Sequence, residues 1–165
     1  MEQNKKLSYV LGLLRLIIGW VFLWAFIDKV FGLGFATTAD KAWLVGASPT
    51  AGFLQFAVHG PFASFYQSLA GVPLVDWLFM LGLLFVGISL MLGIFVRLGS
   101  FAGIIMLALM YTAIGLFPAN NPFIDEHIIY ILILIVLILT NSGQYLGFGK
   151  WWANTSLVQK YKFLK

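Results

Sequence analysis

The sequence predicts an all-α integral membrane fold: a four-transmembrane-helix up-down bundle, with short helical segments, re-entrant or interfacial, between the first two spans. Three observations carry that prediction. The 165 residues are 61% hydrophobic and only 10% charged, whereas a soluble domain is roughly half apolar and a quarter charged. Four apolar stretches, residues 7–31, 74–95, 98–117 and 122–139, approach the ~20 helical residues that cross a hydrocarbon core. The breaks around Gly93 and between Pro118 and Pro122 are so short that the stretches they join must be antiparallel neighbours. The whole chain reads as one membrane domain.

The first span outruns the apolar core of a cleavable signal and has no small-residue cleavage site before Asp28-Lys29, so it is expected to be retained. Arg15 lies within it, about 12 Å from its start by helical rise. No acid is predicted at that depth, which leaves snorkelling to a lipid phosphate, backbone carbonyls, a bundle neighbour or a quinone-type carbonyl as its partner.

Residues 32–72 are too many for a passive loop and too aromatic for a disordered one. Ser48-Pro49 is a cap followed by proline at a first helical position. His59-Gly60-Pro61 stops that helix and starts another, which Gly71 ends. Phe53, Phe56, Phe62, Phe65 and Leu69 recur at helical spacing, so the pair is expected to form a lid over one mouth of the bundle. In the later spans Asn121-Pro122 has the form of a cap plus first helical position. Glycines, among them a Gly99/Gly103 GxxxG pair, allow close helix approach where lipid gives no hydrophobic drive.

Charge sets the expected topology. Lys5, Lys6, Arg97, Lys150, Lys160, Lys162 and Lys165 fall on one side of four alternating spans. Asp28, Lys29, Asp40, Lys41, Asp76, Asp125 and Glu126 fall on the other. By the positive-inside rule this is a multi-pass protein of the cell membrane with both termini cytoplasmic. The tail at 147–165 pairs Trp151 and Trp152 with spaced lysines suited to an anionic leaflet, so the net charge of +4 calls for lipid and not for nucleic acid. With no cysteine in the chain, disulfides, thiolate metal sites and a CxxC relay are excluded.

The candidate site is Asp125-Glu126-His127, two acids and an imidazole at the entrance of an apolar helix. Ionisable groups in such a place are costly and are a functional hypothesis by default. Helix capping and dipole complementarity explain the acids alone. A carboxylate beside an imidazole also suits proton transfer near a redox cofactor. Asp28 and Lys29 end the first span on the same side, either as an exposed pair or facing this cluster. Arg15, Trp24, His59, Trp77 and Tyr111 are the candidates to line a flat quinone ring, although aromatics at helical spacing also serve as core. No metal is predicted, since the positions i+3 and i+4 from Asp125 are Ile128 and Ile129.

The run Arg15 to Lys29, then Ser48-Pro49, Gly60-Pro61, Asp76 to Leu84, Asn121-Pro122, Asp125, His127, Tyr130, Gly147 and Trp151-Trp152 resembles the DoxX/DoxD family of four-span membrane proteins over nearly the whole chain. That resemblance implies a membrane subunit of a thiosulfate:quinone oxidoreductase, with quinone as electron acceptor and a small DoxA-type partner, or another redox subunit, on a separate chain. A homo-oligomer is a further expectation. The alternative is a non-catalytic scaffold of a larger respiratory or stress-response complex. A proton-coupled carrier ranks third, because no relay of acids runs through the middle of the spans.

Overall fold

The computed structural model describes residues 2–115, 118 and 121–164, and all described secondary structure is helical. The last two residues expected in the third span, Leu116 and Phe117, lie outside the described residues, as do Asn120 and Lys165. The principal helices are α1 (Glu2–Phe31), α2 (Ala63–Ser68), α3 (Pro73–Leu92), α4 (Val96–Ala113), α5 (Glu126–Leu139), α6 (Gly149–Ala153) and α7 (Ser156–Lys160). Three of them are long and apolar enough to cross a membrane: Lys5–Phe31 within α1, α3 and α4. These helices bury Ile18, Phe22, Met80, Val86, Leu90 and Leu107, yet leave Ile17, Leu81, Phe85, Phe101 and Leu109 exposed. Helices apolar on the outside as well as the inside suit a lipid surrounding.

Local chemistry sets the helix ends. Pro73 occupies the first turn of α3, where its missing N–H costs nothing. Gly93 ends the helix at φ 75°, its N–H bonded to Ser89 O. Phe95 is also left-handed, at φ 53°, so the chain reverses within three residues and α4 begins at Val96.

The fourth apolar helix differs from expectation. It starts at Glu126, not Pro122, and has 14 residues, about 21 Å. Phe123 stands at φ 68°, which breaks any helix begun at Pro122. Asp125 caps the helix instead, accepting from the backbone N–H groups of His127 and Ile128.

α1 packs chiefly on α3, α3 on α4 and α4 on α5, and α5 touches α1. Contacts advance along one helix as they retreat along its neighbour: Gly19 meets Leu90 while Leu23 meets Gly87, and Gly99 meets Ser89 while Gly103 meets Val86. The glycines make this approach possible, since a Cβ at Gly87 would sit 2.8 Å from Leu23 Cα. Gly99 and Gly103 thus face Ser89, Val86 and Leu134 of the same chain. The GxxxG pair therefore serves packing within the chain.

Between α1 and α3, residues 32–72 form two short single-turn segments (Ala39–Lys41 and Trp43–Val45), a π-helical turn at Phe53–Ala57 and α2. Ser48 Oγ accepts from Ala51 N at 3.0 Å, the capping contact its position suggests. A second small core of Leu54, Val58, Tyr66 and Ala113 fixes this segment to the end of α4, helped by His59 N donating to Ala113 O.

Candidate functional site

Asp125 and His127 are held together by the same residues that start α5. Asp125 Oδ1 accepts from His127 N at 3.0 Å and Ile128 N at 3.3 Å, while His127 Nδ1–H donates to Oδ2 at 2.8 Å. The side chains are only 7% and 10% exposed. A buried imidazole whose Nδ1 is tied to a carboxylate has its orientation and tautomer set, and the other ring nitrogen, Nε2, has no hydrogen-bond partner among the described residues. Glu126 is exposed, and one ligand atom from each of Asp125, Glu126 and His127 lies within 4.8 Å of the others. The geometry suits a proton acceptor or donor: Asp125 fixes the ring through Nδ1, and Nε2 remains open for an exchangeable proton.

The other acids do not join this pair. Asp28, 2% exposed at the end of α1, accepts from Phe35 N at 3.3 Å and Ala36 N at 3.0 Å. Its carboxylate ties down the loop that leaves α1. Lys29 is half-buried in the same turn. Asp76 accepts through one oxygen from Ser48 Oγ at 2.8 Å, Thr50 Oγ1 at 2.5 Å and Thr50 N at 3.3 Å. Each acid fixes a loop; neither is grouped with Asp125, Glu126 and His127 in the one cluster of three metal-type ligands found among the described residues. Ser48 and Thr50, partners of Asp76, are the residues that sequence reasoning missed in this role. Their hydroxyls flanking Pro49 were the available signal.

Arg15 lies at the other end of the bundle and is fully buried. Its Nη1 donates to Leu90 O and, at 3.2 Å, to Met91 O, the last turn of α3. Nη2 donates to Tyr145 O at 2.8 Å and Leu146 O at 2.9 Å. Of the partners left open by the sequence, backbone carbonyls take the guanidinium. They include helix-terminal acceptors that lack intrahelical donors and carry the negative end of the dipole.

The five residues expected to line a quinone therefore do not fit one ring site. Arg15 meets Leu90, whereas Trp77 stands thirteen residues earlier on α3, roughly 20 Å away along the axis. Trp24 packs edge-on against Phe35 at 5.0 Å, and Trp77 against Trp43 at 4.6 Å. Tyr111 donates its hydroxyl to Phe123 O at 2.8 Å. The His59 ring bonds to Ala57 O at 3.0 Å and lies over Gly115. No protein-family model, curated protein or solved structure matches the chain.

Proposed function

We propose that the chain is a DoxX-like membrane subunit of four spans that exchanges a proton at the Asp125–His127 pair. α5 is the fourth span in this reading, crossing with its lead-in of residues 121–125 in the headgroup layer. Alternating spans then form an up-down bundle with both termini and the basic tail in the cytoplasm, and the pair lies at the extracytoplasmic mouth. The observation that carries the reading is the 2.8 Å Nδ1 to Oδ2 contact, which leaves Nε2 open at an otherwise apolar helix.

The resemblance supplies the reaction to test: two thiosulfates joined as tetrathionate, with their two electrons passed to a quinone that also takes up two protons. This chain's own part is the proton at Nε2. Purified protein, alone and with a candidate DoxA-type partner, is to be given thiosulfate and a soluble quinone analogue while quinol is followed by absorbance. Turnover that needs this chain supports the proposal.

The second reading is a scaffold subunit. It is favoured by the fact that Arg15, Asp28 and Asp76 all bond to the protein's own loops and helix ends. A scaffold gives stable co-purification with other membrane proteins and no quinol under any pairing.

A further inference from the structure

At the basic end of the bundle the tail folds back on α4. Val158 is 2% exposed, and Trp152 packs on Phe95 at 4.5 Å while its Nε1 donates to Leu164 O at 2.7 Å. That fold places Lys162 beside Arg97. Together with Ala153, Val158 and Gln159 they line an open cleft of about 400 Å³, within the roughly 300–1,000 Å³ of small-ligand pockets.

The cleft is one-signed. No acidic residue lines it, and the sequence contains no Asp or Glu after Glu126. Arg97 is held in place by Nη2 donating to Asn141 Oδ1 at 2.8 Å, and its Nε is buried with no acceptor among the described residues. Asn141 is neutral, so the guanidinium is oriented but not neutralised. Lys162 adds a second cation with no carboxylate within ion-pair distance among the described residues. An oriented guanidinium, an ammonium and an amide around one opening match the oxygens of a phosphate group. Exposed Trp151, on the same tail, is the kind of residue that sits at headgroup level.

We propose that Arg97 and Lys162, with Gln159, bind a phosphate group, supplied by the headgroup of an anionic membrane lipid. The site is independent of the proton pair and of any redox reaction. The test is binding of dihexanoyl phosphatidylglycerol, dihexanoyl phosphatidylcholine and inorganic phosphate to the purified full chain, read by microscale thermophoresis below the lipids' micellar concentrations.

The phosphatidylglycerol analogue is expected to bind at least about tenfold tighter than the choline lipid. Arg97→Gln and Lys162→Gln should each weaken it about tenfold or more, as loss of a charge-assisted hydrogen bond predicts. Lys150→Gln, exposed and outside the cleft, should bind as wild type. Inorganic phosphate binding as tightly as the anionic lipid, with the same sensitivity to both variants, keeps the phosphate site and assigns it to free phosphate. Equal binding of the two lipids overturns the proposal. So does unchanged affinity in Lys162→Gln, a tail variant that does not depend on the packing of Arg97.

Discussion

Replacing Arg15 by methionine keeps an unbranched stem, two atoms shorter than the arginine side chain, and removes its five donors. Four carbonyls then lose their partner, that of Leu90 in a buried place and those of Met91, Tyr145 and Leu146 in part-buried ones. Hydrogen bonds to a charged donor contribute roughly 1.5–3 kcal/mol each, which sets a ceiling of roughly 6–12 kcal/mol for four. Removing the guanidinium also removes its own desolvation cost, several kcal/mol for a buried ion. The balance is a net loss of about 3–5 kcal/mol. For a chain of this size that lowers the melting temperature by on the order of 10 °C.

The loss is also localised, because the hydrogen bonds of Arg15 join the first helix to both the end of α3 and residues 145–146. Hydrogen exchange in detergent should therefore quicken first from Tyr145 through the tail, ahead of global unfolding measured by tryptophan fluorescence. Arg15→Lys keeps the charge but cannot fork to four acceptors, so an intermediate loss is expected. A melting temperature within about 2 °C of wild type for Arg15→Met, with unchanged protection at residues 145–150, would show that the guanidinium is not what joins these segments.

Asp28→Asn weakens the two main-chain bonds to Phe35 and Ala36; exchange at those amides should rise with a loss of about 1–2 kcal/mol in overall stability. Asp76→Ala strands the hydroxyls of Ser48 and Thr50, and proteolysis within residues 46–52 should increase while the long helices stay protected. Gly87→Leu forces α1 and α3 apart, because the Cβ alone would sit 2.8 Å from Leu23 Cα; a loss of about 1–3 kcal/mol or failure to fold is expected, seen as aggregation in size-exclusion chromatography.

Three of the apolar spans and the reversal at Gly93 were legible because hydrophobic length and a left-handed glycine are properties of the chain itself. The start of α5 was not, since Asn121-Pro122 and Asp125 both carry capping signals. Asp125 prevails because it satisfies two backbone donors and an imidazole at once, a sum that position in sequence does not display. The roles of Asp28 and Asp76 were hidden for a related reason. The partners of Asp28 are backbone N–H groups of unremarkable residues, Phe35 and Ala36. Those of Asp76 lie 26 and 28 residues away. From sequence these acids suggested a shared mouth with Asp125; in the fold each is spent on its own loop. Arg15 was legible as a buried cation in need of an acceptor, but only tertiary packing brings carbonyls from two separate segments to it. The Asp125 to His127 contact was partly visible, because the two residues share one helix start and their proximity needs no long-range folding.

Quinol formation by wild type, Asp125→Asn, His127→Gln and Asp28→Asn, measured side by side with matched melting curves, tests the proton pair most directly. The pair predicts that Asp125→Asn and His127→Gln lose most of the turnover while remaining folded, and that Asp28→Asn keeps it. Full turnover in both Asp125→Asn and His127→Gln would contradict a role for this pair in the reaction.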